Sequence, residues 1–346
     1  MLAIRYDRDD WATNFIPLWV EALAAQVASV DVLALQVGTV GKLPPNVRVF
    51  SMGKERGAGR LGLLANFYRQ AARLLPSCDA VFVHMIPRYA LLAAPLALPL
   101  RKPMTLWYTH REASRDLQRA LPLVRQVATA TESSFPLQTD KLRVLGHGID
   151  ADFYAPLPGQ AATAGAARVV QVARLQPIKR QNVLLEALNH LPEAVGADFI
   201  GAVPQGENND YARGLQATAA ALPTGRARFL GGRSAEQVRE VYQQAAVAVN
   251  LSPVGLFDKA ALESMAVGTP TIVTNPAFAP LLGEWRDLLL IEDILTPSVL
   301  AARIADVLAL PLDALTEMGN TLRGHVIQAH SLHALMPRLA RLLASA

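Results

Sequence analysis

A single cysteine, Cys78, stands in the whole chain. No intrachain disulfide can form, and a reducing, cytoplasmic setting is expected. Charged residues are also few, 18% of 346 against 51% hydrophobic. That balance excludes global disorder and leaves ample material for a core. Long apolar runs are missing. The longest, YALLAAPLALPL at 89–100, holds two prolines and falls short of the ~20 residues a helix needs to span a bilayer. The N-terminus turns charged within a few residues, unlike a secretory signal. No G-x-G-x-x-G follows an early strand, which argues against a nicotinamide-dependent oxidoreductase. No aromatic-basic interleaving or groove-reading motif points to nucleic acid.

The charge that is present lies unevenly. Residues 1–150 hold 18 Lys and Arg against 12 Asp and Glu, and the remainder 15 against 17. The stretch KERGAGRLGLLANFYRQAAR, 54–73, sets five cations around Leu61, Leu64 and Phe67. Two readings stay open: a helix lying on an anionic membrane surface, or an amphipathic helix packed on a sheet with a solvated basic edge.

Strand-like apolar runs alternate with helical segments throughout. VDVLALQV (30–37), AVFVHM (80–85), MTLWYT (104–109), QVATAT (126–131) and KLRVLG (141–146) read as strands, with helices at 14–27 and 61–75. The plan recurs from RVVQVA (168–173) through PTIVTN (270–275). Runs apolar on both faces, alternating with helices, indicate parallel sheets covered by helices. Two series imply an α/β chain of two doubly wound, Rossmann-like domains, 1–154 and 155–325, facing across a cleft. The low-charge stretch 155–168 reads as a linker or hinge. The C-terminal helix, about 326–346, is expected to be interrupted by Pro337.

Three features carry chemistry. In VVQVARLQPIKRQN, Arg174 follows a strand and Lys179 opens the next helix. Both lie at the carboxyl edge of a sheet, either as exposed turn cations or as fixed positive charge for a diphosphate. In SPVGLFDKAALESMAVGTP, Gly255 permits close backbone approach and Asp258 is the expected N-cap. Free amides at that helix start suit phosphate or sugar oxygens. Glu263 sits in the second turn with no basic partner expected at helical spacing. Its carboxylate leans toward the helix start, where it can accept from a vicinal diol such as a ribose or cap a neighbouring loop. Third, LGHGIDADFYAP places a Gly-His-Gly turn at the domain junction.

Together these resemble the retaining, nucleotide-sugar-dependent glycosyltransferases of family 4, also called group 1, which have the GT-B fold. GHGIDADFY, VARLQPIKRQNVLLEAL, RFLGG and LESMAVGTPTIVTN carry the resemblance, in the family's order and spacing. It implies that Arg174 and Lys179 hold the donor diphosphate and that Glu263 binds ribose hydroxyls. It assigns the backbone of Gly255, Leu256, Phe257, Asp258 and Lys259 to donor sugar and phosphate. It puts Gly231 and Gly232, in FLGG, beside the nucleobase and His110 near the donor sugar. His110 also fits a strand-end histidine satisfied by backbone. The C-terminal helix is implied to cross back to the first domain. The expected partners are a UDP- or GDP-sugar and a glycan, lipid-linked or small-molecule acceptor, with no metal or other cofactor.

Two departures stand out. The family's E-x7-E pattern ends at Glu263, but its first position is Gly255, so sugar recognition differs. YDRDDWATNF replaces the glycine-rich turn usual after the first strand. A non-catalytic glycosyltransferase-like subunit and a sugar-nucleotide epimerase are the rival readings. The D-x-D pairs Asp7/Asp9 and Asp150/Asp152 are not expected to bind metal.

Overall fold

The computed structural model describes residues 1–10, 13–157, 167–204, 206, 208–292 and 294–345. The chain divides into two compact units, Met1–Gly148 with Leu332–Ala346, and Ile149–Ser331. The division falls after Gly148, not at 154/155. Ile149 belongs with the second unit because it bridges Ser331 and donates its N–H to the His330 carbonyl at 2.7 Å. Most of the expected linker, 158–166, lies outside the described residues.

The first unit holds strands β1 (Leu2–Tyr6), β2 (Val30–Val37), β3 (Val47–Ser51), β4 (Val81–His84), β5 (Met104–Trp107), β6 (Gln126–Thr129) and β7 (Leu142–Val144). They form one parallel sheet in the order β3-β2-β1-β4-β5-β6-β7. β4 and β5 are buried on both faces, as their unbroken apolar runs require. Leu2, Val83, Leu106 and Val127 pack under Phe67, Ala71, Ala90 and Ala93 from helices Arg60–Leu74 and Pro87–Ala97.

In the helix Arg60–Leu74, Phe67 is 1% exposed but Leu61 is 84% exposed. The apolar residues at 61, 64 and 67 therefore do not share one face: Phe67 anchors the helix to the sheet while Leu61 is left outside. The C-terminal helix begins at Leu332, after a break at Ser331, and runs to Ala344 with Pro337 inside it. Leu335 meets Gly148, whose φ of +83° suits glycine; a Cβ there would lie 2.6 Å from Leu335 and 2.9 Å from Trp19. That clash explains the second glycine of Gly-His-Gly.

The second unit holds β8 (Arg168–Val172), β9 (Gly196–Ile200), β10 (Ala227–Gly231), β11 (Val247–Asn250) and β12 (Thr271–Val273). All pairings are parallel, in the order β10-β9-β8-β11-β12. From β8 the chain moves outward to β9 and β10, then returns to lay β11 on the other side of β8. The topological switch point therefore lies between the carboxyl ends of β8 and β11, the usual ligand position in such sheets. An ion-pair fork joins three strands: buried Asp198 on β9 takes both Arg168 and Arg228, whose side chains are partly exposed. Helix Ala235–Gln244 starts with the capping box of Ser234 and Gln237. Helix Lys259–Val267 ends at Gly268 in the left-handed region. Both units have the Rossmann-like form expected.

Candidate functional site

Most of the expected donor-side residues converge at that switch point. β8 ends and Arg174 follows, exposed and without a salt bridge among the described residues. The chain then makes a short 3-10 turn, Pro177–Lys179. Gln181 donates to the Arg174 carbonyl at 2.8 Å and Gln171 to the Lys179 carbonyl at 2.6 Å, so two buried amides lock the turn's ends. Lys179 is only 6% exposed, so it is not the exposed turn cation that one reading allowed. Its Nζ donates to both Asp258 oxygens, at 2.8 and 2.6 Å, and to Ser252 Oγ at 3.1 Å.

Asp258 comes from the loop after β11. It holds the N-cap position of helix Lys259–Val267, but its side chain caps nothing. The expected N-cap role is corrected: the carboxylate instead accepts from Lys179, from Ser252, and from Asn250 at 3.2 Å. An ammonium beside it is a stronger partner than a backbone N–H. Gly255 turns the loop with φ +86°. Asn275 anchors the loop by donating to the Leu256 carbonyl at 3.0 Å. Phe257 is buried and stacks on Phe278, with ring centroids 4.2 Å apart. The loop backbone is thus held by its side chains.

Glu263 does have a basic partner. Lys259 lies four residues earlier, one helical turn back, and the two charges interact. The expectation of an unpaired carboxylate missed this spacing. Nor does Glu263 simply reach an open mouth. Burial raises its carboxyl pKa, opposed by Lys259 and by a hydrogen bond with buried Tyr154. Burial likewise lowers the Lys259 pKa, opposed by Glu263. Tyr154 and Tyr242 are both held in the phenol form, first by burial and then by Glu263. The result is a half-buried acid–base pair walled by two tyrosines, one turn into the helix.

Gly231 and Gly232 follow the same carboxyl edge at the end of β10. Gly231 has φ +69°, and its carbonyl accepts from Gly201 N at 2.9 Å. His110 belongs to the first unit. It is exposed beyond β5, and its Nδ1 accepts from Glu112 N at 3.1 Å. Asp7 of the first D-x-D pairs with Arg5 at 3.1 Å and accepts from the Asp9 and Thr39 amides. Asp150 of the second caps Phe153 N at 3.0 Å.

Asn250, Ser252 and Tyr154 were not singled out from the sequence. Asn250 and Ser252 were legible in principle, as polar residues closing a buried apolar strand. Tyr154 carried no such signal.

Residues 160–324 match the family described as Glycosyl transferases group 1. D-inositol 3-phosphate glycosyltransferase of Mycobacteroides abscessus is 30% identical over 139 residues, which is 38% of this chain and 31% of that relative's length. Among solved structures, HepE of Anabaena in complex with UDP-glucose aligns with a TM-score of 0.76 and 18% identity, over 100% of this chain and 99% of its own. Sucrose-phosphate synthase of Thermosynechococcus elongatus aligns with a TM-score of 0.72 and 18% identity, over 99% and 98%. The fold is GT-B, and residues 160–324 resemble a group 1 glycosyltransferase domain. No helix among the described residues is long and apolar enough to cross a membrane.

Proposed function

We propose that the chain is a retaining family 4 glycosyltransferase, moving a sugar from a UDP- or GDP-sugar to a glycan, lipid-linked or small-molecule acceptor without a metal. The carrying observation is that exposed Arg174 and the Lys179–Asp258–Ser252 cluster both stand at the carboxyl edge of the sheet, beside the switch point. The second unit binds the donor and the first takes the acceptor, with His110 serving the donor sugar. Departure of a nucleoside diphosphate builds negative charge on phosphate. Arg174, Lys179 and the loop amides stabilise that charge, so no acid need protonate the leaving group. A leaving phosphate oxygen takes the acceptor's proton on the same face. Glu263 accepts from the ribose hydroxyls, and Gly231 and Gly232 leave room beside the base. A solved structure of similar fold holding UDP-glucose supports the donor class.

Thermal-shift screening with UDP, GDP, ADP and their sugars tests the reading, because a ligand of the folded state raises the midpoint. No shift with any of them would overturn it. A second reading, a donor-binding subunit without turnover, draws on Gly255 standing at the family's carboxylate position and on Asp258 being engaged by Lys179. Donor binding without transfer to a broad acceptor panel distinguishes it. The exposed Leu61 and Leu64, with Lys54, Arg56, Arg60, Arg69 and Arg73 exposed around them, support peripheral contact with an anionic membrane. Co-sedimentation with anionic but not neutral vesicles checks that contact.

A further inference from the structure

An ammonium group has three N–H donors. At Lys179 the surrounding protein already takes them: two contacts go to the Asp258 oxygens and one to Ser252. Asp258 is held from the other side by Ser252 and Asn250. Lys179 is buried, so no solvent-facing donor is left for a newcomer. A phosphate therefore cannot simply add to Lys179; it must take the place of Asp258. The charge count agrees. Asp258 cancels Lys179, leaving Arg174, on the same carboxyl edge, a cation with no salt bridge among the described residues.

We propose that Asp258 is a specificity-determining residue, a resident anion that competes with phosphate for Lys179. This rests on the donor-binding reading above and extends it. A lone oxyanion must break the Lys179–Asp258 pair with one group. A diphosphate presents two linked groups, so one engages Arg174 while the other displaces Asp258, and the second step is intramolecular. The site thereby rejects free phosphate and selects linked diphosphates. Discrimination arises from a built-in unfavourable step as well as from attraction.

The test compares wild type with Asp258→Asn by calorimetric titration with UDP, GDP, inorganic pyrophosphate and uridine. Inorganic phosphate serves as the competitor. The asparagine keeps the side chain's size and one acceptor oxygen. The variant is expected to bind UDP or GDP and pyrophosphate about tenfold more tightly, to bind uridine as before, and to become sensitive to phosphate that leaves wild type unaffected. Loss of a merely structural contact would weaken all ligands together. Unchanged or weaker diphosphate binding by a folded variant overturns the proposal. Should the variant not fold, a wild-type structure with UDP decides. Lys179 on phosphate with Asp258 turned away supports the exchange; an intact Lys179–Asp258 pair refutes it. If wild type binds pyrophosphate but no nucleotide, the donor reading fails while the pyrophosphate arm still judges Asp258.

Discussion

Replacing Lys179 by methionine retains most of the stem and deletes the ammonium. In the folded protein that strands Asp258, which keeps Ser252 and Asn250 as donors and has a side chain 22% exposed. A fully buried broken pair costs about 3–5 kcal/mol; partial hydration and the two remaining donors bring this to about 2–3 kcal/mol. For a unit of this size, that lowers Tm by roughly 4–12 °C. The effect on turnover is separate. Lys179 stabilises charge that grows in the transition state, so kcat/KM should fall about 10²–10³-fold. The double variant Lys179→Met/Asp258→Asn separates the two effects. Removing both charges should recover part of the lost Tm, because the residues are coupled, while transfer stays low. The assay is nucleoside diphosphate release with a donor that shifts the wild-type midpoint. If Lys179→Met transfers sugar within threefold of wild type, the lysine only braces the loop and the mechanism is wrong.

Three further predictions follow from local geometry. Burial raises the Glu263 pKa, and ribose binding needs the carboxylate, so donor affinity should fall on acidification at a higher pH than an exposed glutamate would give. Glu263→Gln should bind weakly and without that acid limb; a pH series of titrations on both proteins checks this. At Asp198, burial pushes the pKa up, but hydrogen bonds from Arg228 and Arg168 outweigh it and hold it low. Its stabilisation is therefore complete above the unfolded carboxyl pKa and is lost as pH falls through the folded one. Asp198→Asn should lower stability at neutral pH by about 2–4 kcal/mol and flatten the acid unfolding profile, as urea melts would show. Gly201 has φ +139°, and a Cβ there would meet the Ala173 carbonyl oxygen at 2.0 Å. Gly201→Ala should cost about 2–4 kcal/mol and disturb the backbone beside Arg174, seen as lower urea stability together with weaker donor binding.

The alternation of buried strands and helices was legible because β4, β5, β9 and β11 are short, mostly apolar runs buried on both faces. β3 was not singled out: its five residues, VRVFS, lie at the sheet edge with mixed exposure. The long helix Leu312–His330 also went unassigned, its buried residues being spread thinly over nineteen positions. Within the site, the places of Arg174, Gly255 and the helix after Asp258 followed from local spacing. The Lys179–Asp258 pair did not, because its members stand 79 residues apart and meet only when β11 is laid beside β8. The Lys259–Glu263 pair, by contrast, was open to inspection at four-residue spacing. Its burial was not, since that depends on Tyr154 arriving from far upstream.

The first unit is discontinuous, and this has a consequence for biosynthesis. Ile149–Ser331 is a single uninterrupted stretch, whereas the other unit needs Leu332–Ala346 as well as Met1–Gly148. Leu335, Met336 and Leu339 are buried, and Arg338 donates to the Leu145 carbonyl at 3.2 Å. A chain emerging from the ribosome therefore makes all seven strands of the first sheet before the helix that packs on Phe15–Ala24 exists. The later-made unit has its full sequence first. Until residue 332 and beyond appear, the groove beside Trp19 and Gly148 stays open to water, and a nascent chain paused there presents an unfinished apolar surface to chaperones.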